Sequence, residues 1–292
     1  MRIAGVDIGG TYVKVGLVDT ARGLLDKTSF PTPLSDPQAM AGLIARQVRE
    51  MDASAVGIGS AGSVRLDTGL VYAGNLDWWG VPLRKLVEER LHMPVWVDND
   101  AQAALMAEVF DGALQGVKNA VYLTLGTGVG GALLLDGRPW RGGTNTAAEL
   151  GHMITHGDGL PCRCTRKGCY EMYASGSALS RMAGGLEIQE IFERAQTGDY
   201  ALSALLEAYY HEIGIGLVSL ISIFNPDRIA LGGGVSAAGD ALLDGVTKDV
   251  HRQLAARSDY FQGHIVLAAH KNEAGMIGAA ILAQYYLFPE SI

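Results

Sequence analysis

The sequence predicts an α/β chain built as two lobes, and three observations carry that prediction. Strand-like and helical periodicities alternate along the chain. A strand–glycine bend–strand pattern occurs at residues 2–19 and again at residues 120–137, with glycine and threonine at each bend, which suggests a duplicated architecture. The length of 292 residues is roughly twice that of a modal domain, so two mid-sized lobes fit as well as one large one.

Each element follows from its local pattern. Residues 2–19, RIAGVDIGGTYVKVGLVD, alternate β-branched and apolar residues around Gly9-Gly10-Thr11, the signature of two antiparallel strands. Residues 36–51 have helical apolar spacing, 55–60 predict a strand, and 81–92 are amphipathic. Residues 95–97 form a short buried strand, after which Asp98-Asn99-Asp100 runs into the helix-forming AQAALMAEVF. The lobe boundary falls near Gly116, giving lobes of residues 1–116, joined by a returning C-terminal helix at about 276–292, and 117–275. The second hairpin, at 120–137, bends at Gly126-Thr127-Gly128. Residues 177–196 and 200–224 read as helices, and 228–231 as a strand ending in Gly232-Gly233-Gly234. A helix rich in small residues at 273–286 is suited to close packing on another helix or to crossing back to the first lobe.

Composition narrows the function. A chain that is 48% hydrophobic and 18% charged can bury a core, which excludes wholesale disorder. Glycine supplies 39 residues, close to twice the usual ~7%, so loops shaped by the backbone are expected. A net charge of -8 opposes sequence-independent attraction to nucleic acid. The N-terminus lacks a signal-peptide pattern, and the longest uncharged run, residues 119–135, is interrupted by glycine and threonine, so no membrane partner and a cytoplasmic location are expected.

Several residues could carry chemistry. Asp7 precedes the glycines of the first bend, where Gly9, Gly10 and Thr11 could present amides and a hydroxyl to a phosphate with no Cβ in the way. Gly126, Thr127 and Gly128 offer a second such nest. Neither loop has the Gly-Lys-[ST] of a P-loop or opens a helix as a dinucleotide fingerprint does. Asp100, at a strand terminus, could take a proton from a substrate hydroxyl, with Asn99 orienting it; in isolation an Asp or Asn ahead of AQAALMAE is an ordinary helix N-cap, and neighbours can divide the two roles. Cys162, Cys164 and Cys169 with His152 supply one nitrogen and three sulfurs in an 18-residue stretch, suiting a closed structural zinc site over a disulfide plus free thiol. Glu149 and Glu171 bracket that cluster and could bind a polyhydroxylated ligand. Asn75-Leu76-Asp77-Trp78-Trp79 reads as an exposed loop whose aromatic pair could wall a sugar pocket, although core packing is expected for at least one Trp.

These motifs together resemble the ROK family of bacterial sugar kinases and sugar-responsive regulators across nearly the whole chain. The resemblance rests on VDIGGT at 6–11, GSAG at 59–62, NLDWW at 75–79, DNDA at 98–101, LGTGVGGAL at 125–133, ELGH at 149–152, CRCTRKGCYE at 162–171 and LGGGVS at 231–236. It implies an actin-like ATPase fold of the ribonuclease H-like type, two lobes with a central cleft and a zinc-binding loop. By the same likeness Asp100 is the general base, and Gly62, Asn75, Asn99, Glu149, His152 and Glu171 bind or line the sugar site. His152 would serve both zinc and sugar. The segments Ala4 to Thr11 and Thr127 to Leu134 would hold ATP phosphates, with Mg2+ near Asp7 and with Gly233 and Gly234 along the adenosine. A homodimer is implied as well. Three positions depart from the family pattern: Thr165 stands where CxCGxxGCxE has glycine, Tyr12 where Lys or Asn is common, and Gln102 where Asn is frequent.

The implied activity is ATP-dependent phosphorylation of a hexose hydroxyl, glucose to glucose 6-phosphate first, with N-acetylmannosamine, N-acetylglucosamine, allose or fructose as other acceptors. A sugar-sensing regulator of the same family would require a helix-turn-helix ahead of VDIGGT, for which five residues leave no room. A catalytically silent scaffold is disfavoured by Asp100.

Overall fold

A computed structural model describes residues 1–255 and 261–289. The chain forms two compact units: the first holds Met1–Gln115, Arg141–Ala147 and the C-terminal segment from His270, and the second holds Gly116–Trp140 and Ala148–Ala269. The short insert Arg141–Ala147 therefore packs with the first unit although both its flanks belong to the second.

In the first unit β1 (Arg2–Ile8) and β2 (Tyr12–Asp19) pair antiparallel in the register Asp7 to Lys14 and Ile8 to Val13. β3 (Gly23–Pro31) continues the meander, and β4 (Val56–Ser60) and β8 (Val95–Asn99) add in parallel, giving the order β3-β2-β1-β4-β8. α1 (Pro37–Arg49) starts where the Asp36 carboxylate accepts the Ala39 amide at 2.9 Å, with proline at N1, and buries Met40, Ile44 and Val48 at helical spacing. α2 (Leu83–Leu91) ends at His92 in the left-handed conformation. β5 (Ser63–Arg65), β6 (Leu70–Ala73) and β7 (Trp78–Pro82) form a separate antiparallel sheet. Residues 75–79 are thus only partly a loop: Trp78 opens β7 and is buried, whereas Trp79 is 75% exposed.

α9 (Ala274–Leu287) lies against α3 (Asp100–Asp111), β1 and β4. Its small residues permit this approach, because a Cβ at Gly278 would overlap the Ala103 carbonyl and one at Gly275 would meet the Asp7 carboxylate. Residues 274–287 thus pack closely on α3 and group with the first unit.

The second unit repeats the sheet. β9 (Ala120–Leu125) and β10 (Val129–Leu135) form the expected hairpin, β11 (Arg138–Pro139) follows a two-residue Asp136-Gly137 turn with positive φ at both positions, and β12 (Arg228–Gly232) and β13 (His264–Leu267) add in parallel. The order β11-β10-β9-β12-β13 matches that of the first unit strand for strand. α4 (Glu171–Ala174) and α7 (Tyr200–Phe224) organise its core. α7 is long and apolar enough to cross a membrane, but Leu206, Tyr209, Ile213, Leu217 and Leu220 are buried as the spine of this unit's core. α8 (Asp240–Leu254) packs along it.

Two expectations need correction. Residues 177–196 are not one helix: α5 (Gly176–Met182) and α6 (Ile188–Gln196) are separated by Gly184 and Gly185, whose φ values of 70° and 94° break the helix. The strand expected at 95–97 extends to Asn99, because Asp98 is buried and bonded rather than solvated. The strands β3, β5, β6 and β13 were not legible in the local pattern.

Candidate active site

The first unit gathers its candidates at the carboxyl ends of the parallel strands β1, β4 and β8, where open α/β sheets bind ligands. The register sets Asp7, Gly59 and Asp98 side by side across the three strands. Beyond β1, Gly9 donates its amide to the Tyr12 carbonyl at 3.1 Å, and Thr32 donates to the Gly9 carbonyl at 2.7 Å. Neither Gly9 nor Gly10 has positive φ. Their contribution is the missing Cβ: one at Gly9 would lie 3.0 Å from the Tyr12 carbonyl oxygen, and one at Gly10 would lie 3.7 Å from Asn75 Nδ2. Asn75 therefore stands beside the first bend. Asp7 is mostly buried, which pushes its carboxyl above the usual range, partly offset by Lys14 at 3.7 Å. Lys14 also donates to the Asn272 carbonyl at 3.0 Å.

The β8–α3 junction divides the roles of its acidic run. Asn99 is the N-cap: its Oδ1 accepts the amides of Ala101 at 2.9 Å and Gln102 at 3.2 Å, while its Nδ2 donates to the Gly62 carbonyl at 2.9 Å. Gly62 needs to be glycine, since φ is 87° and a Cβ would strike the Tyr72 carbonyl. Asp100 is the first helical residue, half-buried, with Oδ1 accepting the Ala101 amide at 2.8 Å. Asp98, 1% exposed, accepts from Arg141 through both oxygens, Nη1 to Oδ1 at 2.5 Å and Nη2 to Oδ2 at 2.7 Å. It also accepts from Trp96 Nε1 at 3.2 Å and the Asn99 amide at 2.7 Å. Burial would lower the pKa of Arg141, but the Asp98 charge beside it raises it further above its ordinary value.

In the second unit the parallel register of β9 and β12 carries Gly126-Thr127-Gly128 and Gly233-Gly234 to the same sheet edge. Gly233, φ 82°, lies so close to the Leu125 backbone that a Cβ would collide with it. The Gly176 amide donates to the Gly126 carbonyl at 2.7 Å, and a Cβ on Gly128 would come within 2.7 Å of Glu171 Oε2. Glu171 is held by the residue before it. Tyr170 is fully buried, its hydroxyl donates to the Ile213 carbonyl at 2.8 Å, and its ring lies where any Cβ on Gly216 would be.

His152 Nδ1, Cys162 Sγ, Cys164 Sγ and Cys169 Sγ lie within 4.8 Å of one another. Tetrahedral zinc with Zn–S bonds of about 2.3 Å spaces its sulfurs at about 3.8 Å; here the Cys164 and Cys169 sulfurs are 3.4 Å apart and the Cys162 sulfur is 3.9 Å from His152 Nδ1. Three thiols and one imidazole converging at that spacing fit zinc in both chemistry and geometry. Cys162 donates to Glu171 Oε1 at 2.9 Å, and burial together with that carboxylate pushes its thiol up to about 12. Burial also opposes ionisation of Cys164, but hydrogen bonds from Arg166 and the neighbouring thiols outweigh it and bring that group down to about 6. Thr165, in the glycine position of the family pattern, has φ 72°, a left-handed backbone that a β-branched residue adopts only under strain. Glu149, exposed, opens the 3-10 turn Leu150–His152, and its carbonyl accepts the His152 amide at 3.0 Å.

The expected residues thus fall into two sets. The first unit gathers Asp7, Gly9, Gly10, Thr11, Gly62, Asn75, Asn99 and Asp100, and the second gathers Gly126, Thr127, Gly128, Glu149, His152, Glu171, Gly233, Gly234 and the three cysteines. Two cations that the sequence pattern does not single out join the first set. Lys14 could have been found from the hairpin register opposite Asp7; Arg141 is distant in sequence from Asp98 and leaves no local signal.

A five-stranded sheet that recurs in the same strand order in both units, each time with a glycine bend after its first strand, is an actin-like ATPase fold. The ROK family model matches residues 3–285. The glucokinase of Streptomyces coelicolor is 36% identical over 307 residues, covering 96% of each chain. The structure of a ROK family glucokinase from Streptomyces griseus in complex with glucose and AMPPNP shares 35% identity and a TM-score of 0.87, covering 97% of this chain and 99% of that one. A ROK hexokinase from Thermus thermophilus shares 34% identity and a TM-score of 0.86 over 100% of both chains. The chain belongs to the ROK family and is one of its ATP-dependent sugar kinases.

Proposed function

We propose that the chain transfers the γ-phosphoryl group of ATP to the primary hydroxyl of glucose, with Asp100 as general base. The observation that carries this reading is the β8–α3 junction, where Asn99 takes the capping role and the half-buried Asp100 carboxylate stands at the helix start. The sugar oxygen attacks the γ-phosphorus as its proton passes to Asp100. The new O–P bond forms while the bond from phosphorus to the β,γ-bridging oxygen breaks, and ADP leaves. Most of the barrier lowering comes from positioning and charge neutralisation.

The amides after Asp7 and those of Gly126 to Gly128 hold the phosphates, and Gly233 and Gly234 lie along the adenosine. Mg2+ near Asp7 would neutralise phosphate charge when bound. Asn75, Gly62, Asn99, Glu149, His152 and Glu171 orient the sugar hydroxyls; the second N–H of the Asn99 amide and both Glu carboxylates supply a donor and acceptors of the kind a polyol needs. His152, with Nδ1 turned to the thiols, presents Nε2 to the sugar, and zinc held by His152, Cys162, Cys164 and Cys169 would fix the loop's shape without activating water. Three free thiols in metal-ligating geometry and the use of ATP favour a reducing compartment, the cytoplasm. A homodimer is the assembly we propose.

Glucose is favoured over N-acetylmannosamine, N-acetylglucosamine, allose and fructose because relatives 33%, 35% and 36% identical over nearly the whole chain are glucokinases. A coupled assay of ADP release across those sugars at saturating MgATP tests the acceptor: kcat/KM is expected to be highest for glucose, and a higher value for any other sugar reassigns it.

A further inference from the structure

Arg141 is eleven-hundredths exposed, donates through two parallel N–H bonds to a carboxylate that is 1% exposed, and lies with its guanidinium 5.7 Å from the centroid of the Tyr286 ring. Tyr286 stacks in turn on Trp96 at 4.3 Å, and Trp96 donates to the same carboxylate. Buried ion pairs are poor sources of net stability, because desolvation consumes most of their Coulombic gain. A packed apolar pair would serve the strand end as well on that ground, so the retained charges point to a geometric role. Asp98 is placed for one: its Oδ1 accepts the amide of Asn99, and one residue further on is Asp100.

We infer that Arg141 is a positioning residue for phosphoryl transfer, acting through Asp98 to fix the β8–α3 junction and so the direction of the Asp100 carboxylate. This rests on the reading of Asp100 as the base. The bidentate fork removes rotation of the Asp98 side chain, and the bond to the Asn99 amide passes that constraint to the backbone from which Asn99 and Asp100 project. Arg141 is also the first residue of the segment Arg141–Ala147 that packs with the first unit, and Glu149 follows that segment by two residues. One guanidinium therefore fixes the base through Asp98 and roots the stretch of chain leading to a sugar-binding carboxylate.

The test is steady-state ADP release by the full chain with MgATP and its best sugar, for wild type, Arg141→Met, Arg141→Lys, Arg141→Ala and Asp98→Asn, with thermal melts alongside. Misplacement of reacting groups by about 1 Å costs on the order of 10²-fold in rate, so kcat of Arg141→Met is expected to fall by about that factor. The KM for MgATP is expected to stay within about twofold, because the phosphate loops are untouched. Arg141→Lys, which keeps the charge and loses the fork, should recover only part of the rate, and added guanidinium should restore part of it to Arg141→Ala. Should Arg141→Met not fold, Asp98→Asn carries the same expectation. Wild-type kcat in a folded Arg141→Met or Asp98→Asn overturns the inference, as does a loss that tracks melting temperature, raises the KM for MgATP equally and is not rescued by guanidinium. A wild type that releases no ADP with any sugar overturns the kinase reading along with it, whereas an active wild type beside an unimpaired Arg141→Met overturns this inference alone.

Discussion

The backbone and burial of single residues show where stability has been given up for chemistry. Burial raises the Asp7 carboxyl above its unfolded value, so the folded state holds that proton more tightly than the unfolded chain does. The stabilising contribution of protonated Asp7 is complete below the unfolded pKa and is lost as pH rises through the folded one; at neutral pH the ionised carboxylate is a net cost. Asp7→Asn is therefore expected to melt at a higher temperature than wild type at pH 7, with the gap closing below about pH 4, and to lose activity with MgATP. A lower melting temperature at pH 7 would show that Lys14 outweighs the burial. Thr165 carries a cost of another kind. A left-handed backbone at a residue with a Cβ costs about 1–2 kcal/mol, part of which glycine returns as unfolded-state entropy. Thr165→Gly is expected to stabilise the chain by about 1 kcal/mol, a rise of about 2–4 °C for a chain of this size, with kinase activity retained. No change in melting would mean that the cysteine loop opens before the rest of the chain.

Among the elements, the loop from His152 to Cys169 is the one whose shape depends on something other than its own packing. Its backbone is tied by isolated bridges pairing Ile154 with Cys169 and Pro161 with Lys167 and by hydrogen bonds such as that from the Cys162 amide to the Arg166 carbonyl at 2.8 Å, and its thiols converge on a common point. Elemental analysis is expected to give about one zinc per chain. Chelation should lower the melting temperature and abolish sugar binding, since His152 lies in this loop with the cysteines and Glu171 follows it by two residues, while leaving the glycine bends in place. Retained sugar affinity in metal-free protein would separate the metal from the sugar site. Elements were legible from sequence where a local rule governs them. Asp36 and Pro37 announce α1, Gly9-Gly10-Thr11 and Gly126-Thr127-Gly128 announce their hairpins, and the length of α7 is plain from its apolar content. The break between α5 and α6 was also written in the chain, as Gly184-Gly185, but the helix-forming residues on either side masked it. The strands β5, β6 and β13 are short, with β-structure stabilised by cross-strand partners that the local sequence does not name.

For the whole molecule, the strand order repeated in both units explains why one kind of bend recurs. In each sheet the first strand turns at glycines into its antiparallel neighbour, and the parallel strand beside it ends at the same edge, so a duplicated topology duplicates the glycine bend. That much of the site was readable, because glycines, a helix-capping carboxamide and spaced thiols each have a physical reason to stand where they do. Arg141 was not, since it is joined to Asp98 by tertiary packing alone, and neither was the exposed position of Trp79 next to buried Trp78.

The central claim is that Asp100 removes the proton from the sugar hydroxyl, and the most direct test is the kinetics of Asp100→Asn with glucose and MgATP, together with glucose binding measured separately. The account predicts a fall in kcat of about 10²–10⁴-fold, with glucose affinity held within about tenfold. Turnover at the wild-type rate in a folded Asp100→Asn protein would contradict it.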